Sequence, residues 1–281
     1  MRSRRRGLGL DLAGARPYRA GDDIRAIDHR ASARRSSVTG NDELVVREYL
    51  TEESTQVAII VDRRASMALF PAGLPWLSKP RAVASAVRLI SDSAREARCP
   101  VSILDYEDGH RWRLPEAPAE DHPETEPDSQ AFDAPPSSLD EALFAALRRD
   151  RPLASGAFLF ILSDFICPPS AAGWDAVLSR GLDVVPLVIQ DPIWEQSFPD
   201  VAGTTVAFTD ADGSTGRRVR LTRNEVEQRR SANEQRFAEL TRTLELLALD
   251  RVVLGDHRSG EVVRALSSWV EGRRDGARFI R

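Results

Sequence analysis

Two aspartates stand where apolar runs stop. In VAIIVDRRAS, residues 57–66, Asp62 closes a five-residue apolar run and is followed by Arg63, Arg64 and, after one alanine, Ser66. In AFLFILSD the run that begins at residue 157 ends in Ser163 and Asp164. A strand-end carboxylate with hydroxyls close behind it can offer the hard oxygen ligands that Mg²⁺ prefers. Arg64 argues against such a site, because a guanidinium has five donors and no acceptor, stays ionised and repels a cation. Aimed inward, it would pair with Asp62 or Asp164 and neutralise the charge that a metal would otherwise balance. Aimed outward, it would leave the oxygens free. The six residues VDRRAS taken alone also fit a plain helix start, with Asp62 or Ser66 accepting from free amides.

Ligands of open parallel sheets collect outside the carboxyl ends of the strands, near the point where strand order reverses, so the sheet that positions these acids matters. The runs VAIIV (57–61), VSIL (101–104), AFLFIL (157–162) and VVPLVI (184–189) are apolar throughout and separated by helix-length segments. Runs without alternation are the mark of strands covered on both faces, and they predict a doubly wound, mostly parallel α/β sheet. Val83, Val87, Ile90 and Ala94 recur at three- and four-residue steps, as do Leu139, Leu143 and Leu147 behind a cap at Ser137 or Ser138 with Glu141. TTVAFTDADGSTGRRVRL predicts a hairpin around its Asp-Gly pair, then a long helix with Val226, Phe237, Leu240, Leu244 and Leu247 on one stripe, then a short strand at RVVLG. Residues 115–136, rich in proline and acids, read as a solvated loop.

Residues 1–54 are polar and arginine-rich and form the first part of the chain, with residues 55–281 as the main domain. A short helix is expected through Ile24 and Ile27, after a turn at Gly21 and a cap at Asp22, and a strand at ELVVREYL (43–50). The segment is expected to pack on the main domain. Its arginines, Arg16, Arg19, Arg25, Arg30, Arg34 and Arg35, are interleaved with Asp22, Asp23 and Asp28, which favours an internal ion-pair network over a nucleic-acid surface.

Composition removes several functions. A net charge of −4 and a pI near 5.7 oppose a generic nucleic-acid or membrane-surface binder. Lys79 is the sole lysine and lies in WLSKPR, without the glycines of a phosphate-binding loop, so the chain is not a P-loop NTPase. His29, His110, His122 and His257 have no ligand spacing, and Arg64 stands where a D-x-D phosphohydrolase would need an acid. Cys99 and Cys167 read as reduced core thiols of a cytoplasmic protein. No apolar stretch approaches the roughly 20 residues of a membrane span. Asp11 and Arg16 interrupt what would otherwise be a twin-arginine export signal.

The strand-end Asp, the hydroxyl four residues on and the second strand ending in Ser-Asp resemble the von Willebrand factor A domain, whose metal-ion-dependent adhesion site is built from D-x-S-x-S, a loop Thr and a distal Asp. On that resemblance Asp62 matches the first Asp, Ser66 the second Ser and Asp164 the distal Asp, while Ser137 stands near the loop Thr. Arg64 replaces the first Ser, which implies a degenerate site with no metal expected. Were Mg²⁺ retained, Asp62, Ser66, Ser137 and Asp164 would hold it.

The wider pattern resembles the bacterial domain-of-unknown-function family numbered 58. It is carried by YRAGDDIRAID with Tyr18, Arg19, Gly21, Asp22, Asp23, Arg25 and Asp28, by LVVREY, by VDRRASM and by LSDF. His29 departs from that family's usual tryptophan. Members are similar to von Willebrand factor A domains in their second half and are commonly associated with MoxR-type AAA+ ATPases. The resemblance therefore implies a non-enzymatic, protein-binding accessory component with such an ATPase as partner and no cofactor.

Overall fold

The computed structural model describes residues 4–7, 11–18, 27–28, 32, 44–52, 55–69, 76–115, 131–148, 152–209 and 216–278. Arg19, Gly21, Asp22, Asp23 and Arg25, residues 116–130 of the acidic loop and the hairpin turn 210–215 lie outside the described residues. The chain divides into two compact units, Met1–Thr55 and Gln56–Arg281.

The first unit contains an antiparallel sheet of β1 (Arg4–Gly7), β2 (Asp11–Pro17) and β3 (Val45–Glu52), with β3 in the middle and a bulge between Leu12 and Gly14. The sequence marked only β3, two residues too early. β1 and β2 carry arginines, glycines and a proline, which hid them from a reading by apolar pattern. Ile27 sits in a β-bridge, so it does not extend the expected short helix. The amide of Tyr18 donates to the Leu44 carbonyl and that of Asp28 to the Val45 carbonyl, both at 2.8 Å. The buried Ser32 hydroxyl donates to the Asp28 carbonyl and accepts from the Val45 amide. The hallmark residues that are described thus fasten the chain to the start of β3.

The second unit is a six-stranded sheet. Its strands are β4 (Val57–Val61), β5 (Val101–Tyr106), β6 (His110–Arg113), β7 (Phe158–Ser163), β8 (Asp183–Ile189) and β11 (Val252–Leu254), in the order β11-β8-β7-β4-β5-β6. All neighbours are parallel except β6, which turns back antiparallel on β5. The sheet is therefore mixed α/β and mostly parallel, compatible with a von Willebrand factor A-like fold.

Five described helices cover it: α1 (Lys79–Glu96), α2 (Ser138–Leu147), α3 (Ala171–Leu178), α4 (Arg223–Leu246) and α5 (Ser259–Arg278). Along β4, Val57, Ile59 and Val61 face the cluster shared with α1 and α5, while Ala58 and Ile60 face the cluster shared with α2, α3 and α4. Burial on both faces is why the strand reads as an unbroken apolar run. A smaller cluster joins the hairpin β9 (Thr205–Thr209) and β10 (Gly216–Arg220) to the start of α4, where Thr222 and Glu225 form a capping box.

The chain runs from β4 to β5 on one side and then returns to place β7 on the other side of β4. That reversal sets a crevice between the carboxyl ends of β4 and β7. Asp62 and Asp164 flank it.

Candidate functional site

Parallel pairing in the register Val61↔Leu162, with the Asp62 amide donating to the Leu162 carbonyl at 3.0 Å, brings the two strand ends together. Both residues after Asp62 are buried arginines, and they go to different acids.

Arg64, 6% exposed, folds back on Asp62. Its Nε lies 2.9 Å from Oδ1 and 3.0 Å from Oδ2, and its Nη2 is 2.6 Å from Oδ2. The Arg64 amide adds a bond to Oδ1, and the Ser163 hydroxyl donates to Oδ2 at 2.7 Å. Arg64 Nη1 reaches across to the Cys167 carbonyl at 2.7 Å. Burial works against charge on this guanidinium, but the bond and the attraction to Asp62 outweigh it, and its pKa is raised. Each oxygen of Asp62 is occupied by a donor of the chain itself.

Asp164, wholly buried, is met by Lys79 at the start of α1. Lys79 is 2% exposed, and its ammonium donates to Asp164 Oδ2 at 3.0 Å, to the Ser66 carbonyl at 3.0 Å and to Glu195 Oε1. Three donors thus find three acceptors. The other oxygen of Asp164 accepts from the Ile166 amide at 3.0 Å, and the Ser66 hydroxyl is also bonded to this carboxylate. Burial alone would raise the Asp164 pKa, yet Lys79 holds it below the usual range. Burial likewise pushes Lys79 down, and Asp164 and Glu195 together push it higher. Glu195 is raised, first by burial and then by repulsion from Asp164, against the pull of Lys79. Phe165, which follows, adopts a left-handed backbone with φ of 50°, an unusual state for an aromatic residue that turns the chain sharply at the strand end.

Arg63, 1% exposed, points to the neighbouring strand. It clamps Asp105 of β5 with Nε to Oδ1 at 2.7 Å and Nη2 to Oδ2 at 2.9 Å, and its guanidinium lies 4.9 Å from the centre of the Phe132 ring. Arg113 of β6 adds a second fork to Asp105. Burial would raise this carboxyl, and the two arginines bring it below its ordinary value. Here the loop expected to be solvated behaves otherwise at its end: Ala134 is buried and bridges Arg64, with its amide donating to the Arg63 carbonyl at 3.1 Å.

The family model described as Protein of unknown function DUF58 matches residues 14–242, most of the chain. The chain belongs to that family. Among solved structures, this DUF58 chain is similar to an aerotolerance-related membrane protein from Bacteroides fragilis, with 15% identity over 78% of this chain and 100% of that one and a TM-score of 0.43. It is also similar to the conserved hypothetical protein BatB from Bacteroides thetaiotaomicron, with 18% identity, the same coverage and a TM-score of 0.40. No curated protein matches it.

Of the residues marked in the sequence of this DUF58 protein, Asp62, Arg64, Ser66 and Asp164 come together. Ser137 stands exposed at the N-cap position of α2 without a capping bond from its side chain, and its hydroxyl donates to the Glu141 carboxylate at 2.7 Å, with no hydrogen bond to either strand-end acid among the described residues. Lys79 and Glu195 were missed. The only signal for Lys79 was that an otherwise all-arginine chain keeps one lysine, and Glu195 lies in a loop whose position no periodicity reveals. His110 makes an edge contact with Tyr106, and His257 sits against Ser78 and Trp76, so neither stands in a ligand set. No group of three or more histidine, cysteine or acidic side chains arranged to hold a metal occurs among the described residues. Cys167 is exposed and Cys99 half-buried, so neither is the core thiol expected. No described helix is long and apolar enough to cross a membrane.

Proposed function

We propose that this DUF58 chain is a non-enzymatic protein-interaction module whose metal-ion-dependent adhesion site has been replaced by cations of the chain itself. The observation that carries this reading is the pairing of each strand-end acid with a buried cation: Asp62 with Arg64, Asp164 with Lys79. The residues present do not fit Mg²⁺. An octahedral ion would need oxygens of Asp62 and Asp164 that now accept from a guanidinium and an ammonium, and it would have to sit beside two positive charges. Among the described residues, the hydroxyls and carboxylates of the crevice are engaged with one another and with these cations, which is in keeping with a non-enzymatic role.

A MoxR-type AAA+ ATPase is the partner we propose, in keeping with the association implied by the family and with the absence of a phosphate-binding loop around Lys79. The exposed free thiol of Cys167 is in keeping with a reducing compartment, the cytoplasm.

Calorimetric titration with Mg²⁺ and Mn²⁺, on the natural chain and on Arg64→Ser, tests the site. The expected result is no saturable heat from the natural chain. Tight binding by the natural chain that Arg64→Ser does not improve overturns the replaced-site reading. Co-expression with a MoxR-type ATPase, followed by size-exclusion chromatography, tests the module: a stable complex is expected, and separate elution refutes the partner.

A further inference from the structure

Beside the crevice, the loop after β8, the hairpin strand β9 and the helix α4 enclose a groove of about 360 Å³. Its walls are mostly apolar, with Ile166, Trp194, Phe198 and Phe208 prominent, and Arg229 and Arg236 stand among them. Trp194 meets Phe198 edge-on at 5.4 Å, and Phe198 stacks on Phe208 at 6.4 Å, so the wall is a braced aromatic surface. The volume lies at the small end of ligand pockets, suited to one aromatic or two aliphatic side chains.

The polar groups give the occupant its charge. Arg229 is exposed, lies with its guanidinium 4.1 Å from the centre of the Phe208 ring, and makes no hydrogen bond or ion pair among the described residues. Glu225, one turn earlier, feels its charge, but the carboxylate is held by the amide and hydroxyl of Thr222. Arg236 donates from Nη2 to the Glu195 carbonyl at 2.8 Å, and its buried Nε has no partner. The one acid in the wall, Glu195, gives its carboxylate to Lys79 and to the Asp191 amide. The groove lining therefore carries two guanidinium groups, with the carboxylate of Glu195 turned to Lys79 and that of Glu225 held by Thr222 within electrostatic reach of Arg229. A ring-stacked guanidinium keeps its edge open for a planar, bidentate carboxylate.

We propose that this groove docks an acidic segment of the protein partner, an aromatic or aliphatic side chain lying against the wall of Trp194, Phe198 and Ile166 and an adjoining Asp or Glu pairing with Arg229. The proposal rests on the interaction-module reading and gives it a chemistry. A segment seated there touches Ile166, two residues past Asp164, and Glu195, the second acceptor of Lys79, so it lies directly on the replaced site.

Fluorescence anisotropy at low salt tests this, with the full chain and a fluorescein-labelled peptide carrying a phenylalanine followed by two glutamates. Saturable binding is expected, weakened at least tenfold when the glutamates are replaced by glutamines, at least tenfold by Arg229→Glu and several-fold by the milder Arg229→Gln. Arg88→Glu, on the exposed face of α1, should leave it unchanged. No saturable binding to the natural chain, equal binding of the glutamine peptide, or binding unaffected by Arg229→Glu each overturns the proposal. The module reading is judged separately on the ATPase complex: a complex kept intact by Arg229→Glu overturns the groove alone.

Discussion

Nη2 of Arg64 stands 2.6 Å from Oδ2 of Asp62, with the carboxylate fully buried and the guanidinium nearly so. A pair of this kind need not add stability over an apolar replacement of both partners, but removing one partner leaves a buried charge without an answer.

Arg64→Ser is therefore expected to destabilise the second unit by about 3–5 kcal/mol, read as a lower denaturant midpoint at neutral pH. The double change Asp62→Asn with Arg64→Met should recover most of that loss. If the single variant is as stable as the natural chain, Asp62 is not confined as described.

Asp105 has two arginine partners of unequal burial, Arg63 inside and Arg113 about a third exposed. Asp105→Asn should cost about 3–5 kcal/mol, because it removes the carboxylate charge that faces the buried Arg63, whereas Arg113→Met should cost about 1 kcal/mol or less. Chemical denaturation of the two variants side by side decides the order.

Glu195 and Asp164 share one ammonium and respond to pH in opposite senses. The raised Glu195 contributes stability that is whole below its ordinary value of 4.5 and is lost as pH rises through its folded value. The lowered Asp164 contributes stability present above its ordinary 3.8 and lost as pH falls through its folded value. Glu195→Gln should therefore gain on the natural chain as pH rises above 4.5. A midpoint difference independent of pH between 4 and 8, on the order of the range in which carboxylates and histidines titrate, would refute this assignment.

Thr222 closes the amide end of α4, the helix that carries Arg229 and Arg236. Thr222→Ala should cost about 1 kcal/mol of stability. Hydrogen exchange of the first-turn amides of α4 should quicken in the variant, with α1 unchanged.

The parts of this fold that were legible are those in which one physical demand dominates. Ile59 and Ile60 are both fully buried on opposite faces, so β4 could only be an apolar run, and Val83, Ile90 and Ala94 show the spacing of a helix with one covered side. β6 escaped notice because an edge strand reading His-Arg-Trp-Arg needs no apolar alternation. α5 escaped because Gly260 and Gly272 weaken its local preference, although Val262 and Leu266 bind it to the core. In the site, Arg64 was visible as a guanidinium directly behind a strand-end acid. The pairing of Lys79 with Glu195 was invisible, since nothing in the order of residues says that an ammonium at a helix start meets a carboxylate from a loop 116 residues later.

The two ends of the main sheet have a bearing on how anything could attach to it. One margin is β11, only three residues long, and the other is β6, which sets two arginines in four positions. Short or charged margins are poor templates for an incoming strand. Growth of the sheet by a borrowed segment, whether from a regulator or from a misfolded copy, is thereby discouraged.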